Sequence, residues 1–134
     1  MTTVLLVRHG LTAMTGPVLA GRTADVHLDE RGQAQAAAVA TRMRELGVKH
    51  LVQGCGDKVA ALQHLARRLK VPLARCACIV DDTVDLPLMS AVGFAAAVAD
   101  AHPLVLRAAH WVAKRNGGEG AVRELCDEIL RARA

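Results

Sequence analysis

The stretch CACIVDDTVDLPLM, residues 76–89, decides the fold. Its first five residues are apolar and include two β-branched side chains, which is typical of a buried strand. Asp81 and Asp82 follow directly, and residues 86–92 have the spacing of a short helix that Asp85 could cap. A strand that ends in carboxylates and leads into a helix is the repeating unit of α/β proteins.

Five such strand-and-helix units follow one another along the chain. We therefore predict a single α/β domain over residues 1–134, with three α/β/α layers and a doubly wound, five-stranded parallel sheet in the order 2-1-3-4-5, as in flavodoxin-like and Rossmann-like folds. This order places Arg8-His9, at the end of the first strand, beside Asp81-Asp82, in the crevice where open α/β sheets bind ligands. The predicted strands are residues 3–7, 50–53, 76–80, 94–99 and 110–113.

The composition agrees with this fold. Of the 134 residues, 52% are hydrophobic but only 1% are aromatic, so the core must consist of small and aliphatic side chains, which suits parallel strands covered by helices. No apolar run approaches the ~18 residues of a membrane span, and no secretory signal is visible. We expect a cytoplasmic protein without a membrane partner.

The charged residues and the cysteines indicate no nucleic-acid, metal or redox function. The net charge is +4, and the basic residues are spread along the chain apart from Arg67, Arg68 and Lys70. Since the chain has almost no aromatic side chains to stack on bases, we interpret this cluster as a solvated helix face and expect no nucleic-acid partner. The cysteines form no C-x-x-C pair, so we predict structural thiols. They are Cys55, Cys76, Cys78 and Cys126.

An Arg-His-Gly turn at residues 8–10 follows the first predicted strand. A histidine there can attack phosphorus, and the adjacent arginine can hold the phosphoryl oxygens. The first 44 residues contain three motifs around this turn, LLVRHGLT at 5–12, AGRT at 20–23 and LDERGQAQA at 28–36.

In these motifs, residues 1 to about 44 resemble the start of the histidine phosphatase (phosphoglycerate mutase-like) superfamily. The resemblance implies that His9 is a phosphohistidine nucleophile and that Arg8 and Arg22 hold phosphate. That family also uses a later arginine, an acidic proton donor and a second histidine, and none has a counterpart here. Without its acid, a histidine nucleophile cannot protonate the leaving group.

The rest of the chain, residues 45–134, has motifs of a different kind. In their order and spacing they resemble the back half of the haloacid dehalogenase superfamily, and within it the small phosphatases that act on 3-deoxy-D-manno-octulosonate 8-phosphate. The motifs are ELGVKHLVQGCGDKVAAL at 45–62, IVDDTVDLPLM at 79–89 and AAAVADAHPLVLRAAHWV at 95–112.

This second resemblance implies a phosphoryl-transfer site. Lys58 would steady the transferring phosphoryl group and bind phosphate, and Asp81 would be a magnesium ligand supported by Asp82 and Asp85. Paired carboxylates at a strand end suit a hard cation. The family's aspartate nucleophile is missing, however, because Arg8-His9-Gly10 stands at the end of the first strand.

The two resemblances meet inside the helix predicted at residues 33–46, where we expect Met43 and Leu46 to be buried. From this we predict an engineered or recombined chimera without evolved catalytic function. Its catalytic residues His9, Arg8 and Lys58 and its metal ligands Asp81 and Asp82 would then be vestigial.

Pairing of the positive groups with the two aspartates would compete with a cation. We therefore expect no cofactor, with Mg²⁺ binding weak at best. Two alternatives stay open, a weak phosphatase for phosphomonoesters that uses His9 or a water near Asp81, and a module that binds phosphate or a divalent ion without turnover. A natural fusion or truncated gene is the alternative origin. A phosphate ion and a homodimer are open as partners.

Overall fold

The computed structural model of the protein describes residues 30–134, which fall into two compact units, 30–55 and 56–134. In the first unit, helix α1 covers Glu30–Glu45. Glu30 in its first turn and Arg42 and Arg44 in its last complement the helix dipole. The chain leaves the helix at Gly47, whose φ of 74° is easy only for glycine, and the Gly47 amide donates to the Arg44 carbonyl at 2.9 Å.

Two predictions for this unit are wrong. Residues 50–53 form no strand, since a strand needs a neighbour for its amides and carbonyls and no strand within residues 30–134 pairs with them. Instead, Gln53 Nε2 donates to the carbonyl of Ala36 in α1 at 2.9 Å. Leu46 is 58% exposed, because α1 ends one residue earlier and its apolar stripe does not continue into the turn. Met43 is half-buried.

The second unit contains the remaining elements of the described chain. Helices and strands alternate from β1 onwards, as the sequence predicts, and two short 3₁₀ turns, at Leu73–Arg75 and Thr83–Asp85, precede β1 and α3. The helices are α2 (Lys58–Leu69), α3 (Leu86–Ala91), α4 (Pro103–Ala108) and α5 (Ala121–Arg131), and the strands are β1 (Ala77–Val80), β2 (Phe94–Ala97) and β3 (Trp111–Val112).

The three strands form a parallel sheet in the order β1-β2-β3, with Cys78 opposite Ala95 and Ala97 opposite Val112. They correspond to the third, fourth and fifth predicted strands, so the parallel α/β architecture of this part is confirmed. The first predicted strand, residues 3–7, lies outside the described residues. Of the predicted five-stranded order 2-1-3-4-5, the described residues therefore show only the neighbouring strands 3, 4 and 5.

The core of the second unit forms around β2. Ala95, Ala96 and Ala97 have no exposed surface, and since neighbours in a strand point to opposite faces, both faces of β2 are covered. Because three consecutive alanines have small side chains, helices can pack close to the β2 backbone, and α3 and α4 both contact this strand. The centre of this core therefore consists of small side chains, as the low aromatic content of the sequence predicts.

None of the helices in residues 30–134 is both long enough and apolar enough to cross a membrane. The longest, α1, has 16 residues, whereas a span needs about 20 apolar ones.

Candidate functional site

The carboxyl end of β1 carries Asp81 and Asp82, as the sequence predicts. Asp82 Oδ1 accepts from the Thr83 amide at 2.6 Å and from the Thr83 hydroxyl at 3.2 Å, which starts the 3₁₀ turn. The Asp81 carbonyl accepts from the His102 amide at 2.9 Å, while the residue itself is exposed. Backbone bonds therefore fix this loop and leave the Asp81 carboxylate turned to solvent.

Lys58 is the first residue of α2, held there by a capping bond. The preceding Asp57 Oδ1 accepts from the Ala60 amide at 3.0 Å, which satisfies one of the free amides of the helix start. From this position Lys58 Nζ donates to Asp85 Oδ1. The side chain of Asp85 is only 4% exposed and that of Lys58 22%, so the structure has a nearly buried ion pair next to the Asp81 loop.

This pairing corrects two predictions. Lys58 was expected to pair with Asp81 and Asp82, but its partner is Asp85, and no cation of residues 30–134 pairs with the other two. Asp85 was a candidate helix cap, yet its side chain makes no capping bond to α3. Its backbone, at φ −95° and ψ −5°, has no extended N-cap conformation, and its carboxylate is used by Lys58 instead.

The other predicted site residues, Arg8, His9 and Arg22, lie outside the described residues. Their roles, and the meeting of His9 with Asp81, stay predictions. Sequence reasoning also gave His102 no role in the site beyond opening a short helix with Pro103. Its amide holds the Asp81 carbonyl, and its Nδ1 accepts from the Leu104 amide at 3.2 Å at the start of α4. The signal was a polar residue directly before Pro103 at a helix start.

Cys78 lies in β1 near the buried carboxylate of Asp85. Burial raises the pKa of the Cys78 thiol to about 11, a hydrogen bond with the Ala96 backbone lowers it in part, and the negative charge of Asp85 raises it further. A thiolate is the reactive form of cysteine, so this thiol is inert at neutral pH. The prediction of a structural role is consistent with this environment.

The raised pKa predicts a pH dependence of stability. An unfolded thiol ionises near pH ~8.5, so the folded chain binds the Cys78 proton more tightly between about pH 8.5 and 11. The stability contributed by the neutral thiol is complete below that window and is lost as the pH rises through it. Urea unfolding of wild type and Cys78→Ala should give a difference that shrinks from pH 8 to pH 11. A difference that is constant over this range would contradict the burial argument.

The carboxylates after β1 provide some, but not all, of the ligands that a protein-bound magnesium ion could use. Mg²⁺ commonly takes one or two carboxylates and keeps several waters. The Asp81 carboxylate has no hydrogen-bond donor among residues 30–134, so its oxygens are free for a cation. Residues 30–134 contain no group of three or more His, Cys, Asp or Glu side chains that could hold a metal. Any further protein ligand would have to come from outside residues 30–134.

Comparison with known proteins identifies the family. The model of the haloacid dehalogenase-like hydrolases matches residues 38–125. The chain belongs to this family. A second model, that of the histidine phosphatase superfamily (branch 1), matches residues 4–71, in part outside the described residues. The coarse identification of a haloacid dehalogenase-type phosphatase sequence over most of the chain is thus confirmed.

Curated relatives and solved structures agree with the family match. The chain is 44% identical over 110 residues to the 3-deoxy-D-manno-octulosonate 8-phosphate phosphatase of Yersinia pestis, covering 82% of this chain and 59% of that protein. A crystal structure of the Yersinia pestis phosphatase has a TM-score of 0.69 at 47% identity, over 71% of this chain and 51% of that one. The Moraxella catarrhalis phosphatase, in complex with magnesium, phosphate and a KDO molecule, has a TM-score of 0.69 at 38% identity, over 72% and 55%.

These matches overturn the prediction of an engineered chimera without evolved catalytic function. The 110 matched residues exceed the 90 of residues 45–134, so the likeness to a natural phosphatase crosses the predicted junction at residue 44. The two family models also overlap over residues 38–71 and show no break at that helix. The chain is a homologue of natural enzymes and spans 59% of the length of the Yersinia pestis relative.

Proposed function

We propose that the chain is a magnesium-dependent hydrolase of phosphomonoesters, the reaction in which water cleaves the ester P–O bond to give an alcohol and phosphate. The observation that carries the proposal is the nearly buried Lys58–Asp85 ion pair, whose Asp85 ends the 3₁₀ turn that follows the exposed residue Asp81 in the chain. The pair removes the Asp85 carboxylate and part of the Lys58 side chain from water, which costs desolvation energy, and an ammonium held in this way can stabilise a transferring phosphoryl group.

Each described side chain has its own part in this site. Lys58 would bind a phosphoryl oxygen through the hydrogens that Asp85 does not use, and Asp85 would keep its ammonium in place. Asp81 and the free oxygen of Asp82 would hold Mg²⁺. The ion, when bound, supplies positive charge that neutralises the phosphoryl oxygens.

The substrate proposal rests on the relatives. The Yersinia pestis relative is named for 3-deoxy-D-manno-octulosonate 8-phosphate, and the Moraxella catarrhalis structure contains phosphate, magnesium and KDO. We therefore propose a phosphorylated sugar acid as the substrate class, with 3-deoxy-D-manno-octulosonate 8-phosphate as the first compound to test. A carboxylated sugar also fits a chain with a net charge of +4.

No nucleophile is assigned among residues 30–134. His9 is one candidate and water is the other, and the two routes differ in their dependence on the imidazole. If His9 attacks, the P–N bond of a phosphohistidine forms as the ester P–O bond breaks, and the departing alkoxide takes its proton from solvent water; a second water then cleaves the P–N bond and gives phosphate and free imidazole. His9→Ala removes that route and leaves direct attack by water unchanged.

The test measures phosphate release from 3-deoxy-D-manno-octulosonate 8-phosphate, glucose 6-phosphate and p-nitrophenyl phosphate with saturating Mg²⁺. We expect kcat/KM to be highest for the sugar acid phosphate, at least about tenfold above the other two, because each well-placed polar contact discriminates by 1 kcal/mol or more. His9→Ala is assayed in parallel to choose between the two routes. Rates at the level of buffer for all three esters would refute the proposal.

A further inference from the structure

A groove of about 480 Å³ lies at the C-terminal end of α2, away from the Lys58 end of the same helix. It has apolar and cationic parts side by side. Its apolar lining comes from Ala66, Val71, Pro72 and Leu73, and its polar lining from Gln63, Arg67 and Lys70. These residues are called the α2 groove below.

The chain segment that contains the α2 groove has positively charged side chains and no carboxylates. Residues 58–80 contain five lysines and arginines and no aspartate or glutamate. No carboxylate of the described residues forms an ion pair with Arg67 or Lys70, although three exposed arginines elsewhere, in α1 and α5, do have such partners. The α2 groove therefore presents uncompensated positive charge beside an apolar surface.

Lys70 is held in an unfavourable backbone conformation at this groove. It follows α2 with φ 55° and ψ 39°, and it is the one non-glycine residue with positive φ in residues 30–134. Glycine adopts this helix-ending conformation without strain, whereas a side chain with a Cβ does so at a cost. A strained residue that persists where glycine would be easier suggests a function for its side chain.

We propose that the α2 groove binds an acidic segment of a partner protein that also carries apolar side chains. Arg67 and Lys70 would pair with its carboxylates, and the apolar lining would take its aliphatic side chains. A nucleic acid fits less well, because the groove residues within 30–134 include no aromatic side chain for bases to stack on. An inorganic anion would leave the apolar part unused. This surface is independent of the proposed phosphatase activity.

The test uses fluorescence polarisation with a labelled peptide of alternating glutamate and leucine, on the full chain. Lys70→Gly removes the charge and the backbone strain together. We expect it to weaken binding about three- to fivefold, as for one exposed ion pair, while it raises Tm by about 4 °C or more. Arg67→Gln should weaken binding by a similar factor. Lys114→Gln is the matched control, since Lys114 is an exposed lysine outside the groove whose amide, not its ammonium, makes the observed bonds.

The rise in Tm separates lost binding from lost folding, because the weaker binder is the more stable protein. Peptides of glutamate with serine and of lysine with leucine should both bind more weakly than the glutamate–leucine peptide. Equal affinity of Lys70→Gly and Lys114→Gln for that peptide would overturn the proposal. Tighter binding of oligothymidylate, or full competition by inorganic phosphate, would overturn it in favour of a nucleic acid or a small anion.

Discussion

Lys58→Ala is expected to lower the free energy of unfolding by about 3–5 kcal/mol, because it leaves Asp85 as a buried carboxylate without a partner. The side chain of Asp85 is 4% exposed and cannot reach water without a shift of the 3₁₀ turn. The side chain of Lys58 is 22% exposed on a flexible stem. Asp85→Asn should therefore lower the free energy of unfolding by less than half as much, since the Lys58 ammonium that it frees can turn to solvent.

Urea unfolding of both variants measures this asymmetry. Lys114→Ala is the control, because it removes an exposed lysine with no ion pair among the described residues. Replacing both partners with apolar residues, Lys58→Met together with Asp85→Leu, should recover most of the lost stability, since neither charge then stays buried. A loss for Lys58→Ala no larger than that of the control would show that the pair is not buried as described.

Gly93→Ala should destabilise the second unit by about 3 kcal/mol or more, through a clash that no rotamer change can relieve. A Cβ at Gly93 would lie 1.9 Å from the carbonyl oxygen of Ala74 and 2.6 Å from its carbonyl carbon. The Gly93 amide also donates to the Leu73 and Cys76 carbonyls, each at 3.1 Å. To relieve the clash, the backbone at the start of β2 must move away from the 3₁₀ turn at Leu73–Arg75, which precedes β1.

Gly117→Ala is the matched control for this substitution. Its Cβ would meet nothing closer than 3.7 Å, its φ is not in the left-handed region, and its amide can still donate to Asp100 Oδ1. We expect a change within about 0.5 kcal/mol. Thermal unfolding of both variants decides the point, and a Gly93→Ala protein as stable as Gly117→Ala would contradict the close backbone approach.

The sequence predicts the second unit well because its signals are local. The apolar run before Asp81 predicts the end of β1 at Val80, and the predicted start of the fourth strand at residue 94 agrees with the start of β2. Residues 50–53 have the same apolar character, but a strand also needs a partner, which a single stretch of sequence does not specify. The predicted burial of Leu46 was wrong for a related reason, because helical periodicity does not show at which residue a helix ends.

The resemblance to the haloacid dehalogenase superfamily implied roles for Lys58 and Asp81 but not the ion pair that Lys58 makes. Whether Lys58 binds phosphate and Asp81 binds a metal stays a prediction. That Lys58 bonds Asp85 depends on how the start of α2 packs beside the 3₁₀ turn, 27 residues later in the chain. The chimera hypothesis failed because two family likenesses in one chain suggested a junction, whereas the relatives match through it.

The most direct test of the phosphatase proposal is phosphate release from 3-deoxy-D-manno-octulosonate 8-phosphate by wild type and Asp81→Asn, with Mg²⁺ and with EDTA. Asp127→Asn is the control, since Asp127 is a surface carboxylate paired only with Arg123 among the described residues. We predict Mg²⁺-dependent turnover by wild type and by Asp127→Asn, and a loss of about 100-fold or more in Asp81→Asn. Equal rates for Asp81→Asn and wild type, or turnover unchanged by EDTA, would contradict a metal-assisted phosphoryl site at the end of β1.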